Sequence, residues 1–280
     1  ASEHRLEAQR RVSTGRRVSK ISDDPTAAAT SLAERSALGQ VDQYTRSADS
    51  VASRLAVVDT VLSNVVEKLT AAQTVATAAR GSTLSTTQRA SLAQELGGIR
   101  DALTDDMNST LHGRYLFGGA AVTTKPYTIT PPATVAAYVG SNNEVRADIS
   151  SDRSVTVAFD GEAITQGSDA QDVFTTLDQL IADVTAGNSD GIGTGLAALQ
   201  RAFDRATAAQ TRVGNELAMI DTQKLRLQQM TLSGSERLAA LEQIDMAKAT
   251  TEMQHADTAY QASVGAIGTS SRTSLMDYLK

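Results

Sequence analysis

The sequence predicts a mainly α protein with a β insertion: an elongated antiparallel helical bundle or coiled coil built from both ends of the chain, with a small antiparallel β domain inserted between them. Three observations carry this. An apolar stripe runs Val41, Tyr44, Ala48, Val51, Leu55, Val58, Leu62, Val65, Leu69, Ala72, Ala76, Ala79. Its steps alternate three and four residues, which on a helix keeps every member on one seam facing a partner. A second stripe, Leu196, Leu199, Phe203, Ala206, Val213, Leu217, Ile220, Leu227, is interrupted by polar Gln210 and Lys224. Between the stripes the period falls to two: Val145, Ala147 and Ile149 alternate with Glu144, Arg146 and Asp148, and Val155, Val157 and Phe159 follow.

Taken in order, Ser2 to Val12 reads as a helix end stopped by Gly15. An extended strip leads to Ser22-Asp23-Asp24-Pro25, where an aspartate can cap free backbone N–H groups and proline suits the first helical turn. The helix begun there should reach about Arg80, with Gly81 as terminator. Ser85 with Gln88 is a capping-box pattern, opening a helix expected to end near His112-Gly113. Turn signals at Ser141-Asn142-Asn143, Ser151-Asp152 and Asp160-Gly161 divide the alternating stretch into strands of one sheet. Helix resumes over 169–186, breaks at Gly187, Gly191, Gly193 and Gly195, and continues to Leu232. Ser233 and Glu236 would open a terminal helix carrying Ala239, Met246, Met253, Tyr260 and Ile267 at sevenfold spacing. The expected division is therefore 1–124 as N-terminal helical rod segment, 125–167 as inserted outer β domain, 168–234 as helices completing the rod, and 235–280 as C-terminal assembly helix.

Composition narrows the class. With 280 residues, 41% apolar, no Trp and four Phe, the core must be built of Ala, Val and Leu, which suits close helix-on-helix packing. A net charge of −6 speaks against nucleic acid as partner. The absence of cysteine removes disulfides and thiolate metal sites. No run of about 18 apolar residues is present to cross a membrane, so no membrane insertion is expected. The chain opens at Ala1 without a charged-then-apolar leader, which reads as a trimmed fragment.

Chemistry finds little to stand on. His4, His112 and His255 are far apart, on expected helices, without a second ligand at i+4, so no metal is expected. Gly191, Gly193 and Gly195 lack the preceding strand and the following Lys-Ser/Thr of a phosphate loop, and read as an inter-helix loop. Asp23 and Asp24 precede a proline, the setting of a cap rather than of opposed catalytic carboxylates. Asn108-Ser109-Thr110 matches a glycosylation acceptor, a pattern short enough to arise by chance. No catalytic residue and no cofactor is expected. The terminal helix is different, because Met246, Met253, Tyr260 and Ile267 form an apolar seam with no following element to cover it. Burying each such side chain is worth ~1.5–3 kcal/mol, so the seam is expected to seek a partner, together with Leu275, Tyr278 and Leu279 beyond it.

The residues also carry a resemblance. Ser13-Thr14-Gly15-Arg16-Arg17-Val18, then Ser22-Asp23-Asp24-Pro25 and an alanine-rich helix, resemble the N-terminal signature of bacterial flagellins and their relatives. Gly113-Arg114-Tyr115-Leu116-Phe117-Gly118-Gly119 with Lys125-Pro126-Tyr127, Ile244-Asp245-Met246-Ala247, and the closing Ser274-Leu275-Met276-Asp277-Tyr278-Leu279 are similar to the hook-associated branch of that family. The resemblance implies paired terminal helices with a β-rich insertion, and a structural subunit joining hook to filament. It implies as partners other copies of the chain, a second junction protein, flagellin and an export chaperone on the C-terminal region. It further implies an extracellular place in the flagellum, reached through type III export without a cleaved signal peptide. The family pattern would place about 15–20 further residues before Ala1. Filament flagellin is the alternative within the family; a helical coiled-coil binding or signalling module is the alternative outside it, and an enzyme is the weakest reading.

Overall fold

The structure, a computed structural model, describes residues 2–18, 20–81, 84–130 and 134–278. In chain order the elements are α1 (Ser2–Thr14), α2 (Pro25–Ala79), α3 (Thr86–Met107), β1 (Thr110–Leu111), β2 (Arg114–Tyr115), β3 (Ile129–Thr130), β4 (Thr134–Val135), β5 (Val145–Asp148), β6 (Ser154–Ala158), α4 (Gly161–Thr165), α5 (Val173–Ala186), α6 (Ser189–Glu242) and α7 (Met246–Tyr278). They form two compact units, one of Ala1–Gln43 with Leu227–Lys280 and one of Tyr44–Arg226.

In the unit of residues 44–226, the α2 stripe is buried from Ala48 to Ala79 as its period requires. Leu55 and Leu62 are wholly inaccessible, each contributing ~1.5–3 kcal/mol of apolar burial. On α6 the row Leu199, Ala206, Val213, Ile220 is buried as expected, but the intervening seam positions are Ala202, Ala209, Glu216 and Gln223. Phe203 and Leu217 pack at its flank, half-buried. Two heptad rows share the first set of residues, and the one more deeply buried is that of Ala202, Glu216 and Gln223, with Ala209 half-buried like Phe203 and Leu217. Helices α2, α3, α5 and α6 share one core with Tyr127, Ile149, Val155 and Phe159 from the insertion.

Several expected boundaries move. α3 ends at Met107, with Asn108 as its C-cap; His112 and Gly113, at φ +52° and +74°, instead form the two-residue turn of the β1–β2 hairpin. That backbone is the one a tight hairpin turn demands, so His112 is not on a helix. The Ser85–Gln88 capping box is present in both directions. The insertion at 125–167 holds not one sheet but two separate antiparallel ladders, β3–β4 and β5–β6, and β1–β2 forms a third before it. The Asp160-Gly161 signal starts the short α4, with Asp160 accepting from Glu162 N.

The glycines after Gly187 lie inside α6, not in a loop. A side chain at Gly191 would collide with the Asp183 carboxylate, and a Cβ at Gly195 would come within 2.9 Å of Leu180 Cδ1. These glycines are spacers that let the start of α6 press against α5. α6 then runs unbroken past Ser233 to Glu242, so those residues are no cap, and Ala239 belongs to α6. α7 starts later than expected, at Met246, where Asp245 Oδ1 accepts from Ala247 N at 2.9 Å and Lys248 N at 3.2 Å.

In the unit of residues 1–43 and 227–280, α1 packs alongside α7. The Arg5 guanidinium lies 4.7 Å from the Tyr260 ring centroid, and its Nε is 3.6 Å from Asp257. The terminal helix therefore has a short N-terminal partner, against the expectation of an uncovered seam. The cover is thin: α1 buries no residue and Leu6 stays 61% exposed.

Candidate functional site

The signature residues of the first unit meet where both helical strands break. Gly15, at φ +66°, ends α1, and the interruption at 243–245 separates α6 from α7. The two breaks lie side by side as an antiparallel bridge between Arg16 and Gln243. Arg17 N donates to Glu242 O at 2.6 Å and Ile244 N to Gly15 O at 3.2 Å. Breaking two helices leaves backbone groups without intrahelical partners, and here each break supplies those of the other.

Glu242 is the hub of this clasp. Its carboxylate, on a residue only 8% exposed, accepts from Arg35 through Nε at 3.1 Å and Nη2 at 2.7 Å, with Arg16 at 3.7 Å. Arg17 adds Nη2 to Leu241 O at 3.1 Å and Nη1 to Asp24 at 3.0 Å. Asp24 is the N-cap of α2, its Oδ1 accepting from Ala27 N at 2.9 Å, and Pro25 takes the first helical position. The Ala27 amide, and then Arg17, hold the Asp24 carboxyl below its ordinary range. Asp23 acts on the preceding strip, its Oδ2 accepting from Lys20 N at 2.9 Å and from Arg10 at 3.4 Å. Asp24 thus caps α2 as the proline context implied, whereas Asp23 orders the strip between α1 and α2 and caps no N–H of that helix in the bonds found. Arg35 and Glu242, the strongest pair of the site, escaped the sequence reading because 207 residues separate them and no local pattern links them.

The Tyr115–Gly119 strip belongs to the second unit and is a backbone crossroads. Tyr115 N donates to Val122 O at 2.8 Å, Leu116 N to Ser109 O at 3.0 Å, Phe159 N to Leu116 O at 3.0 Å and Gly119 N to Phe159 O at 2.9 Å. Leu116 and Phe117 are wholly buried. Burial pushes the Tyr138 phenol up to about 12, so it stays protonated and donates to Phe117 O at 3.0 Å. Gly119 sits at φ +56°, and any Cβ there would overlap the Ser141 carbonyl; at Gly118 a Cβ would come within 2.9 Å of Ala121 O. The two glycines are therefore required by left-handed backbone and by close approach. Beside them, Asn108 pairs with both backbone groups of Tyr127, Nδ2 donating to O at 2.9 Å and Oδ1 accepting from N at 3.0 Å. The amide of the acceptor-like tripeptide is thus tied into the fold.

The proposed assembly seam lies along α7. Met246 is 50% and Ile267 69% exposed, while Met253 and Tyr260 are half-buried. Leu275 and Tyr278 are on the α7 backbone, with side chains outside the described residues, as is all of Leu279. Among the described residues no group of three or more His, Asp or Glu is placed to hold a metal ion, and no helix is long and apolar enough to cross a membrane.

Within the first unit, α1 lies beside α7 and the two helix breaks are clasped to one another; the second unit is a helical core with small hairpins. Residues 2–121 match the bacterial flagellin N-terminal helical region. Over 81% of its length it is 29% identical to the flagellar hook-associated protein 3 of Escherichia coli strain K12, covering 75% of that protein. With the Salmonella typhimurium protein of the same name it shares 33% identity over 61% of its own length and 57% of that protein. A solved structure of a hook-associated protein from Vibrio parahaemolyticus has the same fold, with a TM-score of 0.74 at 18% identity, over 79% of this chain and all of that one.

Proposed function

We propose that this chain is a structural subunit of the bacterial flagellum that joins hook to filament, assembling with further copies of itself through its terminal helices. The observation that carries the reading is the α1–α7 pair, held by the Glu242 clasp and still presenting apolar side chains at Leu6, Met246 and Ile267. Exposed apolar residues along paired helices favour further association, because each large side chain removed from water contributes ~1.5–3 kcal/mol. On this reading Met246, Met253, Tyr260, Ile267, Leu275, Tyr278 and Leu279 line the inter-subunit contact. The clasp and the Tyr115–Gly119 strip shape the subunit and carry no chemistry, so the protein is not an enzyme. The partners are the second junction protein on one side and flagellin on the other, with an export chaperone shielding the C-terminal helix before assembly. Export leaves no cleaved signal peptide and places the protein outside the cell. The four-segment division at 124/125, 167/168 and 234/235 belongs to the same proposal.

Filament flagellin is the second reading, favoured by the flagellin match over residues 2–121. Purified full-length protein, concentrated and seeded with sheared filament ends, separates the two. A junction subunit caps or adds to ends without growing long filaments; growth of micrometre filaments from this protein alone would favour flagellin.

A further inference from the structure

Within the unit of residues 44–226, a pocket of about 280 Å³ opens beside the β5–β6 hairpin, lined by Val51, Val145 and Val157 together with the guanidinium groups of Arg54 and Arg114. Arg54 is held in place by backbone carbonyls: its Nε donates to Val157 O and its Nη2 to Tyr115 O at 3.3 Å. Among the described residues no carboxylate pairs with either arginine. Elsewhere in this unit buried Arg100 faces Asp178, half-buried Arg205 faces Asp169 and exposed Arg212 faces Glu144, whereas half-buried Arg89 donates to Leu84 O and, like Arg54, meets no carboxylate among the described residues. Burial of Arg54, and then the charge of exposed Arg114 nearby, pull the Arg54 pKa down, as follows when a part-buried cation has a like charge beside it and no counter-ion. Ser47 is spent on Asp148 O at 2.7 Å.

Arg54, oriented by two carbonyls, with exposed Arg114 beside it and valines along the same pocket, matches a carboxylate, which accepts two parallel N–H bonds from arginine. We propose that Arg54 and Arg114 form a receptor for an Asp or Glu side chain of a second copy of this chain, making an inter-subunit ion pair in the assembled junction. Charge complementarity favours that occupant. The chain holds 32 acidic against 26 basic residues, and Asp42, Glu67 and Glu95 have no salt-bridge partner among the described residues, so a second copy brings carboxylates in excess. This inference rests on the reading of the chain as a multi-copy subunit.

The test uses the absence of cysteine from these 280 residues. Full-length Ser50→Cys, bearing a benzophenone maleimide beside the pocket, is assembled onto hooks in a strain lacking the native copy and irradiated. A cross-link to a second copy, mapped by mass spectrometry next to an acidic residue, is expected in hooks and not in free monomer. Arg114→Gln, which removes no side-chain bond found among the described residues, and the Arg54→Gln/Arg114→Gln pair should both lower incorporation into hooks, the pair by about tenfold. Arg114→Lys should retain most of it, and the monomer melting temperature should hold for Arg114→Gln. Wild-type incorporation of both glutamine variants, a cross-link only to another protein, or saturable binding of inorganic phosphate by the monomer in place of the cross-link would each overturn the receptor while leaving the junction role intact. Failure of the unsubstituted chain to enter hooks would instead remove the junction reading, and this inference with it.

Discussion

Arg35 in α2 grips Glu242 in the last turn of α6 by a two-pronged hydrogen bond, Nε at 3.1 Å and Nη2 at 2.7 Å to opposite carboxylate oxygens. Arginine and carboxylate planes match in this arrangement, which makes it stronger than a single surface contact. It ties the segment after Pro25 to the segment before the α6–α7 break, residues otherwise distant in the chain.

Glu242→Ala should therefore destabilise the clasp by about 1.5–3 kcal/mol, the usual worth of hydrogen bonds to a charged group. Arg35→Ala should cost less, because Arg16 remains within 3.7 Å of the carboxylate. Thermal unfolding gives the ordering, and hydrogen exchange should show the amides of Arg17 and Ile244 opening first. Equal and negligible losses would mean the backbone bridge needs no side-chain support.

Asp24→Ala should lower stability, and the loss should depend on pH with a definite sign. The folded carboxyl titrates below its unfolded value, so its contribution is present above the unfolded pKa and is lost as pH falls through the folded one. The difference between wild type and Asp24→Ala should thus vanish in acid and be largest near neutrality. A constant difference across pH would contradict the capping charge as its source.

Glu216 behaves oppositely. Burial in the α6 seam raises its pKa, so its contribution to stability is present below the unfolded value of about 4.5 and is lost as pH rises through the raised folded value. Glu216→Gln should match or exceed wild-type stability at neutral pH and lose that advantage on acidification. Glu144, held low first by the Arg212 hydrogen bond, should show the reverse trend in Glu144→Gln. Chemical denaturation at several pH values checks both.

Gly119→Ala should cost at least ~2 kcal/mol, since both its φ of +56° and the Ser141 carbonyl oppose a side chain. Gly193→Ala, in the interior of α6 with nothing within 4 Å of the added methyl, should stabilise by about 0.5–1 kcal/mol. The pair of melting curves distinguishes a glycine required by backbone geometry from one that merely weakens a helix.

Much of this was legible in residue order. The α2 seam from Ala48 to Ala79, the Asp24-Pro25 start and the Ser85–Gln88 box each depend on residues within a few turns of one another, and each is found as read. The misreadings arose where long-range packing decides. Gly191 and Gly195 look like a loop until α5 is placed beside them, and two superimposable heptad rows on α6 cannot be ranked without knowing how closely α2 approaches. At the site, the local caps were readable, whereas the Arg35–Glu242 grip and the Arg54–Arg114 pocket are products of tertiary placement.

The central claim, a subunit joining hook to filament, is tested most directly by electron microscopy of cells from which the gene has been deleted, with and without the full-length protein restored. The account predicts hooks without filaments and flagellin shed into the medium in the deletion, and filaments regained on restoration. Normal filaments on hooks in the deletion strain would contradict it.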